Sequence, residues 1–380
     1  MRSLFAGLLV SCVTLAVCLA ALETGLRLVG IYPSFSTPDR TIGFRFRPRA
    51  RYRHTDEGFS QGRINAHGWR DRDHAFAKPA GVKRIEVIGD SFVEAFQVAE
   101  DSALAAQLER RLNARAADRD RYEVVALGRS GMGTTEEYLT YEHWGTAYDP
   151  DVVAVLFILN DFIDNTKELD PSGDIRPYFV ERNDSLALDT TFLATAGFRA
   201  RVRSDALKNR SSLVSWAMKS WNTFRQNRAI QKLDQRTVRD EISFQFDRRL
   251  PSDSIPAFRI TRKILARFAS DVHRDGRRFV LFVAGSAQQE DRASLAAAER
   301  NPAYDRDKPQ TFLEACGAED GYDVVALTPA FRAASAAGDG PFWCATKAGF
   351  AHWNARGHAL GAREMARYFE DHLGPAGSAR

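Results

Sequence analysis

Arg84-Ile85-Glu86-Val87-Ile88-Gly89-Asp90-Ser91-Phe92 is the stretch whose reading decides the fold. Residues 84–88 have the composition of a strand, and Gly89-Asp90 end it. The same phrase recurs twice. Tyr122 to Leu127 reads as a strand that runs into Gly128-Arg129-Ser130-Gly131-Met132-Gly133. Asp151 to Leu159 is a nearly unbroken apolar run ending at Asn160-Asp161, as expected of a strand buried on both faces. Helical patterns separate these strands. Asp101 is placed to cap a helix through Leu104, Leu108 and Leu112, and Thr134 to Trp144 reads as a second helix. Further on, Ile260, Ile264, Leu265 and Phe268 share one helical face, 278–283 and 322–327 read as strands, and Ala355 to Leu373 as a final helix. Alternating strands and helices predict a parallel sheet covered by helices on both faces.

Residues 1–33 form a separate segment. Leu4 to Leu22 carries no charge and follows Arg2. About 19 residues at roughly 1.5 Å each match the hydrocarbon core of a bilayer. An uncleaved anchor with its N-terminus in the cytoplasm is expected, because Cys18-Leu19-Ala20-Ala21-Leu22 is a poor signal-cleavage site. Glu23 to Pro33 continues as a short helix in this reading.

Residues 34–83 are a lead-in. From Phe44 to Arg53, aromatic or small residues alternate with arginine, which is strand periodicity with Arg on one face. Such a strand is either a solvated edge or a track for an anionic polymer or lipid headgroups. Residues 162–255 interrupt the alternation with a polar, basic, strand-poor, mainly helical insertion. Leu213, Trp216, Ala217, Trp221 and Phe224 form an apolar stripe there. That stripe either packs on the domain or serves as a lid or membrane-facing helix.

With 380 residues, 44% hydrophobic and 27% charged, the chain is globular in composition. A net charge of +4 and the lack of a basic helix or stacking motif argue against nucleic acid as a partner. No Cys/His cluster has metal-ligand spacing, so neither a metal nor another cofactor is expected. Cys316 and Cys344 fall in the exported part, as a disulfide or as two separate thiols.

Ligands of open parallel sheets bind at the carboxyl ends of strands. Three strand ends and one late loop are therefore the candidates. Ser91 follows the first strand. Glycines around Gly131 let backbone N–H groups approach a ligand. Asn160 adds a side-chain amide. His352, in Ala351-His352-Trp353-Asn354-Ala355-Arg356-Gly357-His358, is a base suited to neutral pH. Each piece alone has a plainer reading: a common turn, a glycine-rich loop, a helix cap, a structural histidine. His358 falls within the helix and reads as structural.

Together, Gly89-Asp90-Ser91, Gly131, Asn160-Asp161 and His352-Trp353-Asn354 with Gly357-His358 resemble the SGNH hydrolase (GDSL esterase) family, in its membrane-anchored bacterial form. The resemblance spans about 64–375, from the lead-in Ile64-Asn65-Ala66-His67-Gly68-Trp69-Arg70-Asp71, and places the hydrolase domain at 84–375. It implies a three-layer α/β/α sandwich with a flavodoxin-like five-stranded parallel sheet. It also implies Ser91 as nucleophile, His352 as base, and Ser91 N–H, Gly131 N–H and the Asn160 amide as oxyanion donors. Ester hydrolysis in the periplasm of an inner-membrane, single-pass protein follows, with O-acyl (O-acetyl) carbohydrate or another small ester as partner. A form secreted after signal cleavage is the alternative location. An O-acyltransferase using the same site, an inactive carbohydrate-binding protein and a phospholipase are the alternative functions.

Two positions depart from the family pattern. Ile158 stands where glycine is usual, and Gly349 and Phe350 stand where an aspartate should orient His352. Three outcomes are open: a backbone carbonyl holds the imidazole of a Ser–His dyad, a distant acid such as Asp339 or one in the insertion substitutes, or the site is degenerate.

Overall fold

The computed structural model describes residues 2–115, 121–170, 175–183, 185–230, 244–252, 255–290, 296, 300–344 and 352–373. The apolar N-terminus is one helix, α1 (Arg2–Leu28), with no break at Glu23; an 18-residue window within Ser3–Leu28 has a mean hydropathy of 2.5 and none of that window is buried.

The arginine-rich lead-in is not one strand. β1 (Ser36–Asp39) pairs antiparallel with β2 (Gly43–Phe46), and β3 (Arg51–His54) with β4 (Ser60–Arg63). Pro48 cannot donate to a ladder and Arg49 turns left-handed at φ 61°, so the chain breaks between β2 and β3. Most of the arginines bind carbonyls rather than an anion. Arg45 reaches His67 O at 2.9 Å, Arg47 reaches Asn209 O at 2.8 Å, and Arg53 bonds Val29 O. Phe46, Ala50, Tyr52, Ile64 and Phe96 close a small core beneath the two hairpins.

The main sheet follows: β5 (Val82–Gly89), β6 (Arg121–Gly128), β7 (Val152–Ile158), β10 (Arg278–Ala284) and β11 (Asp323–Ala326). All pairings are parallel, in the order β11-β10-β7-β5-β6. The strand expectations hold within two residues at each end. Helices cover both faces. On one side lie α4 (Thr134–His143), α8 (Pro256–Arg274) and α9 (Lys308–Asp320). On the other lie α3 (Leu104–Arg115), α10 (Thr328–Ala336) and α11 (Ala355–Leu373). Strand β7 shows why two layers are needed. Val153, Val155 and Phe157 enter one core while Val152, Ala154, Leu156 and Ile158 enter the other, and every one is buried. At about 1.5–3 kcal/mol per buried aliphatic or aromatic side chain, both faces hold the strand centrally.

Two expectations shift. Asp101 does not cap α3; it sits in a short 3₁₀ turn (Glu100–Ser102) ahead of it. The stretch after β7 holds α5 (Asp161–Asp164), α6 (Ala196–Lys208) and α7 (Ser212–Ile230), but also an antiparallel hairpin of β8 (Tyr178–Arg182) and β9 (Ser185–Asp189). In α7, Trp216, Ala217, Trp221 and Phe224 are exposed, so the stripe does not pack on the domain. Cys316 is buried in α9, Cys344 is half-buried, and no disulfide joins the two.

Trp353 seals the α11 side. It is fully buried, stacks on Phe331 at 4.8 Å and meets Phe92 edge-on at 5.2 Å. Trp353→Ala is expected to lower stability by about 3–5 kcal/mol, read from the denaturant midpoint. A shift below about 1 kcal/mol contradicts this packing role.

Candidate active site

The nucleophile candidate stands at the carboxyl end of β5. Asp90 ends the strand and caps α2 (Ser91–Glu94), its Oδ1 accepting the Phe92 N–H at 2.9 Å. Ser91 is thereby the first residue of α2. Its Oγ lies 2.8 Å from His352 Nε2 and 3.2 Å from Asp90 Oδ2. Arg70 of the lead-in is buried and donates to Glu94 O at 2.8 Å, Val98 O at 2.5 Å and Tyr52 Oη at 3.0 Å. That clamp holds the far end of α2.

His352 arrives on a zippered loop. Cys344 N–H donates to His352 O and Asn354 N–H to Phe342 O, each at 2.8 Å. Asn354 Oδ1 then accepts the N–H groups of Arg356 at 2.9 Å and Gly357 at 3.1 Å, which starts α11. The imidazole rests on the Phe92 ring at 5.2 Å. His358 is buried in α11 against Gln97 Nε2 at 3.1 Å, and burial lowers its pKa to about 3. It is a core histidine.

The carboxylate facing His352 is Glu57. Its Oε2 lies 2.5 Å from His352 Nδ1. Asp339 does not play that part: it lies in the turn after α10, where its carbonyl accepts a bond from Arg356. Nor does any acid among the described residues of the 162–255 stretch; Gly349 and Phe350 lie outside the described residues. Glu57 sits in the β3–β4 connection, 295 residues from the histidine it meets. Its neighbour Gly58 explains how the loop fits, because a Cβ there would stand 2.2 Å from Gln97 O. Ser60 Oγ donates to Phe96 O at 2.5 Å and ties the base of the hairpin to the segment following α2. Asp56-Glu57-Gly58 in the sequence signals a turn, and nothing local signals its distant partner.

The loop after β6 presents Gly131 at φ 71°, a left-handed conformation that glycine takes without strain. The N–H groups of Ser91 and Gly131 have no hydrogen-bond partner among the described residues. Arg176 Nη1 holds Gly131 O at 2.5 Å, and Glu136 Oε2 accepts the Gly133 N–H at 3.1 Å. Asn160 Nδ2 is 3.3 Å from Asp90 Oδ2, the oxygen that Ser91 Oγ also faces, and 2.9 Å from Asp164 Oδ2. Ser91 and Asn160 therefore meet at the Asp90 carboxylate and His352 joins them through Ser91, with Gly131 on the adjacent strand end.

Buried acids lie behind Ser91. Burial pushes the Asp90 carboxyl up, against the Phe92 N–H, His352, Asn160 and Ser91. Burial also drives the Glu137 and Asp161 carboxyls well above the usual carboxylate range. Asp161 Oδ2 accepts the Ile158 N–H at 2.9 Å and shapes the end of β7.

Glu94 anchors the Gly131 loop. Its carboxylate accepts the Ser130 N–H and, at 2.6 Å, the Ser130 hydroxyl. Burial pushes this carboxyl from 4.5 up to about 7. The folded chain then keeps a proton that the unfolded chain releases between pH 4.5 and about 7. This group's contribution to stability is complete below that window and is lost as pH rises through it. Glu94→Gln should flatten the fall in Tm across the window in scanning calorimetry; a variant profile parallel to wild type contradicts the shift.

No protein-family model matches the sequence, and no curated protein does. Solved structures similar to this chain include an acetyl xylan esterase (13% identical, 75% of this chain and 98% of that one, TM-score 0.39). A lipase/acylhydrolase from Enterococcus faecalis is 13% identical over 76% of this chain and 96% of that one, with a TM-score of 0.37. A catalytic mutant of an acetylxylan esterase from Geobacillus stearothermophilus is 13% identical over 75% and 93%, with a TM-score of 0.39. On its own strand order, the chain is a three-layer α/β/α sandwich built on a flavodoxin-like, five-stranded parallel sheet.

Proposed function

We propose that this chain is a serine ester hydrolase working outside the cytoplasm, with Ser91 as nucleophile, His352 as base and Glu57 as the carboxylate that orients the imidazole. The observation that carries the reading is the Ser91 Oγ to His352 Nε2 to Glu57 contact, at 2.8 Å and 2.5 Å. An imidazole hydrogen-bonded at Nδ1 to a carboxylate presents Nε2 as the acceptor a hydroxyl needs. The order of groups is that of a catalytic triad, although the acid comes from the opposite end of the chain. In this reading the catalytic unit is not 84–375 alone: it includes the lead-in.

The reaction is acyl transfer in two steps. His352 Nε2 takes the proton from Ser91 Oγ as Oγ bonds to the ester carbonyl carbon. Glu57 stabilises the imidazolium. The carbonyl oxygen gathers charge where the Ser91 and Gly131 N–H groups point, with the Asn160 amide turned from Asp90 as third donor. The tetrahedral centre collapses, the C–O bond to the alcohol breaks, and His352 protonates the departing oxygen. Water, deprotonated by His352, then cleaves the acyl-serine to a carboxylic acid and restores Ser91.

A small O-acyl ester on a carbohydrate is the substrate class this reading favours. A cavity of about 290 Å³ borders Glu94 and Ser130, and its wall mixes Phe35, Phe44 and Phe96 with Arg53 and His54. Aromatic faces beside polar groups suit a polar ring better than a long acyl chain.

Ser91→Ala should abolish both hydrolysis of a chromogenic acetate ester and labelling by a fluorophosphonate probe. Retained activity in that variant sinks the assignment. Glu57→Gln should lower kcat by about 10²–10⁴-fold with little change in KM, and Glu57→Asp should recover part of it. A Glu57→Gln enzyme with wild-type kcat removes Glu57 from the mechanism. Asn160→Ala should cost about 10²–10³-fold in kcat if its amide serves the oxyanion.

A further inference from the structure

The end of α1 and the start of α7 are bonded to each other. Glu23, the first charged residue after the apolar run, accepts the N–H groups of Ser212 at 2.8 Å and Leu213 at 3.0 Å and the Ser211 hydroxyl at 2.9 Å. Arg27 donates to Arg210 O at 2.8 Å. A charged residue leaves the hydrocarbon at the headgroup level, so these bonds fix the start of α7 at that level. From there α7 exposes Trp216, Trp221 and Phe224, with Trp221 61% accessible and packed beside Phe224 at 6.1 Å. Helix α6 packs against α7. Its exposed face repeats every three or four residues as Arg199, Val202, Arg203, Leu207 and then Arg210 just beyond its end. Residues 196–219 hold six Lys or Arg and one acid, Asp205. Leu28 and Val29 leave α1 equally exposed.

We propose that the exposed faces of α6 and α7 dock on the lipid bilayer that α1 crosses, with the tryptophans at the depth of the acyl carbonyls and the arginines among anionic headgroups. The proposal rests on α1 being an uncleaved membrane span. The chemistry fits that occupant in two independent ways. Tryptophan is the side chain that settles at the membrane–water boundary. A basic helix face with interspersed apolar residues binds anionic lipid by both burial and charge. The position fits as well, since Glu23 and Arg27 bind the first turn of α7 to the end of the span. Docking has a consequence for the catalytic site. Lys219 of α7 lies 3.7 Å from Asp56, next to Glu57, and lines the cavity beside Glu94 and Ser130. A docked α7 holds that cavity close to the headgroups, where an ester carried at the membrane surface is within reach.

The full-length protein is reconstituted into phosphatidylethanolamine/phosphatidylglycerol vesicles containing lipids brominated near the carbonyl end of the acyl chain. Wild type should float with the vesicles and its tryptophan emission should be quenched. Trp216→Phe with Trp221→Phe should float equally, keep its circular dichroism, and lose most of the quenching. A protein that floats but is quenched identically in both forms overturns the docking and leaves the anchor standing. A protein that does not float overturns both. Unquenched wild-type emission, with a Trp216→Cys disulfide dimer forming in the vesicles, assigns the face to a second copy of the chain and likewise overturns the proposal.

Discussion

A single imidazole joins three distant parts of this chain. His352 Nε2 meets Ser91 Oγ at the end of β5 and its Nδ1 faces Glu57 in the lead-in, while its own carbonyl is held by Cys344. Most of the remaining architecture serves that junction. The zippered loop and the Asn354 cap fix the histidine, Trp353 and Phe92 support it from below, and Arg70 clamps the helix that carries the serine. In the proposed role, a base displaced by about 1 Å would lose much of its catalytic value, and several elements hold the imidazole in place.

The lead-in is the unusual component. An acid two or three residues before the histidine orients it through local chain geometry. Here the orientation depends on a tertiary contact, and the β3–β4 loop needs its own restraints. Gly58 lets the loop press against Gln97, and Ser60 ties the hairpin to Phe96. The Phe46–Tyr52–Phe96 core beneath it converts a short hairpin, marginal in isolation, into a rigid arm. Arg45, Arg47 and Arg53 serve the same end by bonding carbonyls of neighbouring segments, while Arg49 pairs with Asp73 and Arg51 lies over the Tyr32 ring.

How much of this was legible beforehand follows from the range of each interaction. The central strands could be read because an apolar run such as Val152–Ile158 carries its burial in its composition. Ser91, Gly131 and Asn160 are candidates because parallel strands bring their carboxyl ends to one rim, and His352, from the loop ahead of α11, lies 2.8 Å from Ser91 Oγ. Glu57 could not be named, since no periodicity or motif encodes a contact across 295 residues. The Phe44–Arg53 stretch misled because side-chain alternation is blind to a backbone break at Pro48 and Arg49. For the α7 stripe, periodicity defined the apolar face but not what it meets; the fold turns it outward, beside the end of α1.

The most direct test of the Ser91–His352–Glu57 junction is a crystal structure of the protein after reaction with a fluorophosphonate. The account predicts phosphorus bonded to Ser91 Oγ and a phosphoryl oxygen within hydrogen-bond reach of the Ser91 and Gly131 N–H groups and the Asn160 amide. His352 should remain between the adduct and the Glu57 carboxylate. An adduct on another side chain, or a His352 turned away from Glu57 toward a different acid, would contradict it.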